Sequence, residues 1–230
     1  MKAPLLTRVA ALIAVGAGVG AMAAAQTARP PVAPEWNQTV IKEPGGEFDA
    51  KQLDLIQKVT GYFNAMGDMK GSFEQTSPDG KRLRGRIAVK RPSFFRFEYN
   101  RPSRQVIISD GKTMIIQDLD LKTDDRWGLD QTPFRIVLKK DVDFLRDAKV
   151  LEVGESDDQF YISLQDKNPD TAGRLKLLFQ KKPAIELKEW ITTDRQGLDT
   201  KVELTEFAKV DDLDPALFVP SQVFLQKLQQ

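Results

Sequence analysis

Apolar and polar residues alternate with a period of two along most of the chain after residue 70. This pattern is typical of strands with one buried face. Together with the turn residues between them, it predicts ten strands, at 71–76, 82–90, 94–100, 106–109, 113–117, 150–154, 160–165, 174–180, 185–193 and 200–207. Ser-Pro-Asp-Gly at 77–80 and Asp110-Gly111 are strong hairpin turns. The sequence therefore predicts a large antiparallel sheet that is apolar on one face.

Two segments change to helical spacing. Asp49 is a good capping residue, and apolar side chains then recur every three or four residues at Leu53, Ile56, Val59, Phe63 and Met66. Further along, Thr132 can cap and Pro133 suits a first helical position before the apolar residues Phe134, Ile136, Val137 and Leu138. A second short helix is predicted to start at Asp141. These helices are expected to cover the apolar face of the sheet.

The apolar face of the sheet carries the candidate ligand-binding residues. They alternate with polar residues on neighbouring strands and are Ile87, Val89, Phe95, Phe97, Tyr99, Ile108, Met114 and Ile116. For any one of them, the simpler interpretation is that it belongs to an ordinary core. An open sheet of ten strands, however, presents more apolar area than a few short helices fill. The set as a whole therefore predicts a hydrophobic cavity.

A Lys-Arg-Pro corner interrupts the alternation between the second and third predicted strands. Leu83, Gly85, Ile87 and Val89 share the apolar face, and one further step places Arg91 there. A guanidinium directed at a hydrophobic surface needs a hydrogen-bonding partner. The alternative is an exposed cation in an ordinary turn.

The first 25 residues have the features of a bacterial signal peptide. Lys2 and Arg8 precede an apolar run that ends in small residues at 23–25, and an uncleaved membrane anchor is the alternative. Residues 26–47 contain four prolines and a Gly-Gly pair, which predicts a flexible lead-in before a single domain at 48–230. A Sec-type signal without a lipid-attachment cysteine predicts a soluble protein in the periplasm of a Gram-negative bacterium.

The composition excludes several kinds of catalytic and metal-binding site. The chain has neither histidine nor cysteine, so it lacks the usual general base, thiolate nucleophiles, disulfides and the common transition-metal ligands. We expect no metal, no cofactor and no enzyme, with carboxylate catalysis as the remaining catalytic option. An acidic tract at 118–125 lacks the glycine and final glutamate of an EF-hand loop, which favours a polar strand end over a calcium site. The formal charge is +1, or −1 without residues 1–25, and predicts no nucleic-acid partner.

Four motifs occur in a fixed order. They are Gly-x-Ile-x-Val-Lys-Arg-Pro-x-x-Phe-Arg at 85–96, Ser-Asp-Gly-Lys at 109–112, Thr-Pro-Phe at 132–134, and Asp-Pro-Ala-Leu-Phe at 214–218 followed by Pro220. With the signal peptide, they resemble the periplasmic carriers of outer-membrane lipoproteins, the LolA family, over about residues 51–224. The strand after Gly111 departs from the family, which often has an aromatic-rich strand ending in Tyr-Asp where this chain has Met-Ile-Ile-Gln.

The resemblance implies a mainly β fold with an α lid: an unclosed antiparallel β-barrel, or half-barrel, whose short helices enclose a hydrophobic cavity. It implies that Arg91 hydrogen-bonds the lid helices near residues 132–140 and holds the empty cavity shut. The implied lid residues are Leu53, Ile56, Val59, Phe63, Phe134, Ile136 and Leu138.

The resemblance also implies a function and partners. We expect a monomeric periplasmic chaperone that shields the acyl chains of lipoproteins and carries them from an inner-membrane ABC lipoprotein exporter to an outer-membrane receptor lipoprotein. The alternative is a lipid-binding periplasmic sensor of the same fold. Such sensors usually carry a second domain, whereas only about twenty residues follow Val210.

Overall fold

The computed structural model describes residues 48–171 and 173–221. The predicted signal peptide at 1–25 and lead-in at 26–47 lie outside the described residues. The strands are, in chain order, β1 (Met69–Thr76), β2 (Arg82–Lys90), β3 (Phe94–Tyr99), β4 (Gln105–Asp110), β5 (Thr113–Asp118), β6 (Thr123–Gly128), β7 (Ala148–Glu155), β8 (Gln159–Asp166), β9 (Arg174–Gln180), β10 (Glu186–Thr193) and β11 (Asp199–Lys209). The helices are α1 (Ala50–Ala65), α2 (Arg135–Leu138) and α3 (Phe144–Asp147), with 3₁₀ turns at Leu129–Gln131 and Pro215–Phe218.

All eleven strands form one antiparallel sheet. Their order is β6-β5-β4-β3-β2-β1-β11-β10-β9-β8-β7, so the long pairing of β1 with β11 joins the first strands to the last ones. Within the described part of the chain, the end strands β6 and β7 do not pair with each other. The predicted fold class, an unclosed antiparallel sheet with a few short helices, is confirmed.

Helix α1 begins at the predicted residue. Asp49 accepts a hydrogen bond from the backbone N–H of Gln52 (2.8 Å), and the Gln52 side chain accepts one from the backbone N–H of Asp49 (3.1 Å). This reciprocal arrangement is a capping box, which satisfies two donors at the helix N-terminus. The apolar stripe of the helix, including Ile56, Val59 and Phe63, is buried against the sheet.

The segment between β6 and β7 differs from its prediction. Thr132 does not cap α2, since it ends the 3₁₀ turn at Leu129–Gln131, where its hydroxyl donates to the Leu129 carbonyl (2.8 Å). The predicted start of the next helix at Asp141 is also wrong. Asp143 caps α3, and the Asp141 carboxylate instead accepts from the Arg146 side chain (3.1 Å). Helix α3 has only four residues, and the sequence pattern of so short a helix does not fix its first residue.

The sheet is covered on both faces. The larger core lies between the helices and what we call the helix-covered face. On the other face, which we call the outer face, a smaller cluster joins β2 and β4 to the segment after β11. Its ring contact is Phe94 with Phe218, at 5.8 Å between centroids. The buried Gln117 side chain fixes the end of this segment, because it exchanges two hydrogen bonds with the Ser221 backbone (3.2 and 3.1 Å).

The placement of Ile108 on the cavity face is wrong. Ile107 pairs with Ile116 and Ile108 with Ile115 across β4 and β5. Because cross-strand partners share a face, Ile107 accompanies Ile116 on the helix-covered face and Ile108 lies on the outer face with Val106. Strand β4 is apolar on both faces, so alternation alone does not distinguish the two.

Candidate functional site

The helix-covered face encloses an apolar cavity of about 60 Å³. Its lining is entirely hydrophobic and comes from both halves of the sheet and from the helices: Phe63, Met66, Ile87, Val89, Phe95, Phe97, Phe134, Val137, Leu138, Leu175, Leu177, Leu187, Trp190 and Phe207. Pockets that hold a small-molecule ligand usually measure about 300 to 1,000 Å³. The free volume beneath the helices is therefore much smaller than that of a typical ligand pocket.

A second cavity of about 20 Å³ adjoins the first. The two share Phe95, Phe97, Phe134 and Trp190 as lining residues. These four rings form a closed cycle in which neighbouring centroids are 5.7, 6.0, 6.3 and 6.1 Å apart. We call this set of four side chains the aromatic cluster. It joins β3, β10 and the residue before α2, and its members line both cavities.

Most of the predicted cavity residues lie beside one of these cavities. Ile87, Val89, Phe95 and Phe97 line the first cavity, and Tyr99 and Met114 line the second. Ile116 is buried in the same core without lining either cavity, and Ile108 lies on the outer face.

The predicted lid residues are brought together in the same core. Phe63, Phe134 and Leu138 line the first cavity. Ile56, Val59 and Ile136 are buried beside it, and Leu53 is half-buried at the edge of the core.

Sequence reasoning missed the contribution of β9 and β10. Leu175 and Leu177 alternate as expected for a buried face, and this alternation was available in the sequence. Leu187 and Trp190 line the cavity although they are three residues apart. The β9–β10 pairing shifts register between Leu187 and Glu189, and such a bulge breaks the period of two.

The Arg91 side chain reaches the end of α2. Its Nη2 donates to the backbone carbonyls of Lys139 and Lys140, the latter at 3.4 Å. In the same turn, the Ser93 backbone N–H donates to the Leu138 carbonyl (2.9 Å). The last carbonyls of a helix lack partners within the helix and attract cations. Burial lowers the pKa of Arg91, but an arginine remains charged in proteins.

The other end of α2 is fixed by a buried ion pair. Arg135 binds both carboxylate oxygens of Asp166, with distances of 2.9 and 2.6 Å, and the Asp166 side chain is only 1% exposed. The Asn168 backbone N–H and the Thr171 hydroxyl also donate to this carboxylate, at 2.8 and 3.3 Å. The hydrogen bond to Asp166 raises the pKa of Arg135. Helix α2 is thus attached to the end of β8.

Two further contacts hold the helices together. The Asn64 side chain donates to the Val142 carbonyl and accepts from the Val142 N–H, both at 2.9 Å, which connects α1 to the loop before α3. Burial alone would raise the pKa of Asp147, but hydrogen bonds from Arg146 and Lys139 outweigh it and lower that pKa below its ordinary value of 3.8. These contacts connect α1, the end of α2 and α3 to one another.

The polar groups beside the second cavity satisfy each other. The Tyr99 hydroxyl donates to the Gln75 side-chain oxygen at 2.6 Å, and both residues are buried. Burial raises the pKa of Tyr99, so its phenol is neutral at physiological pH.

Among the described residues, no group of three or more acidic side chains is arranged to hold a metal ion. None of the described helices is long and apolar enough to cross a membrane. The arrangement suits binding of an apolar ligand.

Comparison with known proteins identifies the family. The family model for the outer membrane lipoprotein carrier protein LolA matches residues 64–221. The chain belongs to the LolA family. An outer-membrane lipoprotein carrier protein from Chromobacterium violaceum is 27% identical over 175 residues, which are 73% of this chain and 83% of that relative. The LolA family relative from Chromohalobacter salexigens is 29% identical over 174 residues, or 71% and 78%.

A solved LolA superfamily structure is also similar. The protein, from Nitrosomonas europaea, superposes with a TM-score of 0.41 at 13% identity and covers 72% of this chain and 97% of its own. The carrier proteins of the LolA family are non-enzymatic.

Proposed function

We propose that this protein is a periplasmic carrier that shields the acyl chains of lipoproteins beneath its lid. It accepts them from an inner-membrane ABC exporter and delivers them to an outer-membrane receptor lipoprotein. The observation that supports this most is the small, wholly apolar cavity beneath helices that polar bonds attach to the sheet.

The energetics explain why a lidded cavity suits this task. Moving apolar groups into water costs about 0.8 kcal/mol per methylene, so one chain of about 16 carbons exposes roughly 12 kcal/mol of unfavourable hydration. A soluble carrier must bury that chain and later release it to a tighter-binding receptor. A lid that collapses onto the empty cavity competes with the ligand for the same apolar surface. Closure therefore favours release.

We propose Arg91 as the latch of this lid. Hydrogen bonds made by a charged group stabilise by about 1.5 to 3 kcal/mol, and a buried unsatisfied donor costs about 1 to 3 kcal/mol. Both effects act on Arg91. Its Nη2 donates to the lid carbonyls, which stabilises the closed lid, while its buried Nη1 has no hydrogen-bond partner, which is unfavourable. The unsatisfied Nη1 reduces the stabilisation that the latch gives to the closed, empty lid but does not cancel it. An incoming acyl chain can therefore displace the latch.

The latch is tested with Arg91→Leu. This variant loses the bonds that stabilise the empty closed state but keeps the backbone bond from Ser93 to Leu138. A larger open fraction raises the apparent affinity for ligand, so we expect tighter retention of lipoprotein and slower transfer to a receptor. Arg101→Leu is the matched control, since Arg101 also precedes a proline in a turn but is exposed. Transfer by Arg91→Leu at the rate of the control, with normal folding, would refute the latch.

The carrier function is tested in cells and by mass spectrometry. Depletion of the protein is expected to leave outer-membrane lipoproteins in the inner membrane, which a sensor of the same fold would not cause. Lipoproteins with intact acyl chains are expected to co-purify with the protein from periplasm. Normal lipoprotein sorting after depletion would contradict the proposal.

A further inference from the structure

Trp190 carries a buried hydrogen-bond donor without an acceptor. Among the described residues, only Trp190 Nε1 and Arg91 Nη1 are buried side-chain polar atoms without a hydrogen-bond partner. Trp190 is 6% exposed and lines both cavities. Arg91 is accounted for by the proposed latch, whereas Trp190 lies in the interior of the apolar site.

The contacts of Trp190 do not replace an acceptor. Its ring meets Phe97 and Phe134 nearly perpendicularly, at centroid distances of 6.0 and 6.3 Å. Contacts of N–H groups with aromatic faces are weak and secondary to a hydrogen bond with an oxygen. A buried tryptophan usually finds an acceptor, and one without it bears the desolvation cost of its N–H group. An acceptor brought by a ligand removes that cost.

The other polar groups at the second cavity are already engaged. Tyr99 donates to Gln75, and the Gln75 amide nitrogen lies 3.5 Å from the Ser77 hydroxyl. A ligand acceptor that approached these groups would have to compete with existing bonds. Trp190 offers its donor without such competition, and its side chain lines both cavities.

We propose that the Trp190 indole N–H donates a hydrogen bond to the carbonyl oxygen of an ester-linked or amide-linked acyl chain in the opened cavity. This inference rests on the proposed carrier function and deepens it. The site then distinguishes an acyl group from a plain hydrocarbon, because only the acyl group supplies an acceptor. The bond also sets how deeply the acyl chain inserts, since it fixes the carbonyl beside the aromatic cluster.

The test compares two probes, methyl palmitate and hexadecane, on the purified protein. We expect the wild type to bind the ester in preference to the hydrocarbon, and Trp190→Phe to reduce this preference between about twofold and tenfold, the worth of one neutral hydrogen bond. The lost ring volume weakens both probes alike, so the ratio isolates the N–H group. Trp127→Phe is the matched control, because Trp127 of β6 is not among the residues that line the two described cavities. An unchanged ratio in Trp190→Phe overturns the proposal.

A second measurement uses the wild type and does not depend on how the variant folds. In a ¹H–¹⁵N spectrum, the indole resonance of Trp190 is assigned by elimination with Trp36→Phe and Trp127→Phe. Methyl palmitate should move this proton downfield and hexadecane should not; equal shifts with both probes overturn the proposal. If neither probe binds the wild type at all, the carrier function itself fails, which distinguishes that failure from a wrong role for Trp190.

Discussion

Replacing Arg135 by Ala removes the anchor between α2 and β8 and leaves the Asp166 carboxylate buried without its cation. Breaking a buried ion pair in this way costs about 3 to 5 kcal/mol. The Asn168 N–H and the Thr171 hydroxyl still donate to Asp166, and Arg135 itself is one-third exposed. The lower end of the range therefore applies, and we expect a loss of about 3 kcal/mol in the free energy of unfolding.

Urea denaturation followed by circular dichroism measures this loss. With an m-value of about 1 to 3 kcal/mol per molar, the midpoint of Arg135→Ala should fall by about 1 to 3 M at an unchanged slope. Arg146→Ala is the control, because this half-exposed arginine of α3 also makes ion pairs, and exposed ion pairs contribute less to stability than buried ones. Equal losses for Arg135→Ala and Arg146→Ala would refute the reasoning.

Three further outcomes are expected. Gly85→Ala should cost at least about 1 to 3 kcal/mol in thermal denaturation, because its Cβ would clash with the backbone carbonyl of Glu98 and lie 2.7 Å from the Phe73 ring; a variant as stable as the wild type would show that these contacts relax freely. Ile107→Ala and Ile108→Ala should each cost about 2 to 5 kcal/mol, but only Ile107→Ala should alter binding of an acyl probe. The pKa of Asp147 is lowered in the folded state, so its contribution to stability is complete above pH 3.8 and is lost as pH falls through the folded pKa. Asp147→Asn should weaken this acid dependence in denaturation midpoints, and an identical pH profile would contradict it.

The sequence predicts the helix-covered face well where a strand has one apolar side. Strand β2 alternates cleanly, so Ile87 and Val89 were assigned to the correct face. Strand β4 is apolar on both faces and its alternation is uninformative. The register of the hairpin supplies the missing information, because the two-residue turn between β4 and β5 pairs Ile107, not Ile108, with Ile116 on the helix-covered face.

Other features could not be predicted from the local pattern of apolar and polar residues. Strand β6 was not predicted, because Thr-Asp-Asp-Arg-Trp-Gly has no apolar alternation and the strand forms at the sheet edge. The contribution of Trp190 was hidden by the bulge in β10. The segment that covers the outer face has no periodicity, since Leu213 and Phe218 are buried by tertiary contacts alone. Arg91 was directed inward by alternation, but the carbonyls it binds are set by the irregular end of α2.

The path of the chain gives the open sheet a mechanical property. The segment at 129–147, which contains α2 and α3, runs directly from the last residue of β6 to the first of β7, the two free margins of the sheet. It acts as a tether of fixed contour length between those margins. If an acyl chain fills the cavity as proposed and spreads the sheet, it pulls this tether from both ends, so filling the cavity and straining the helices are one event.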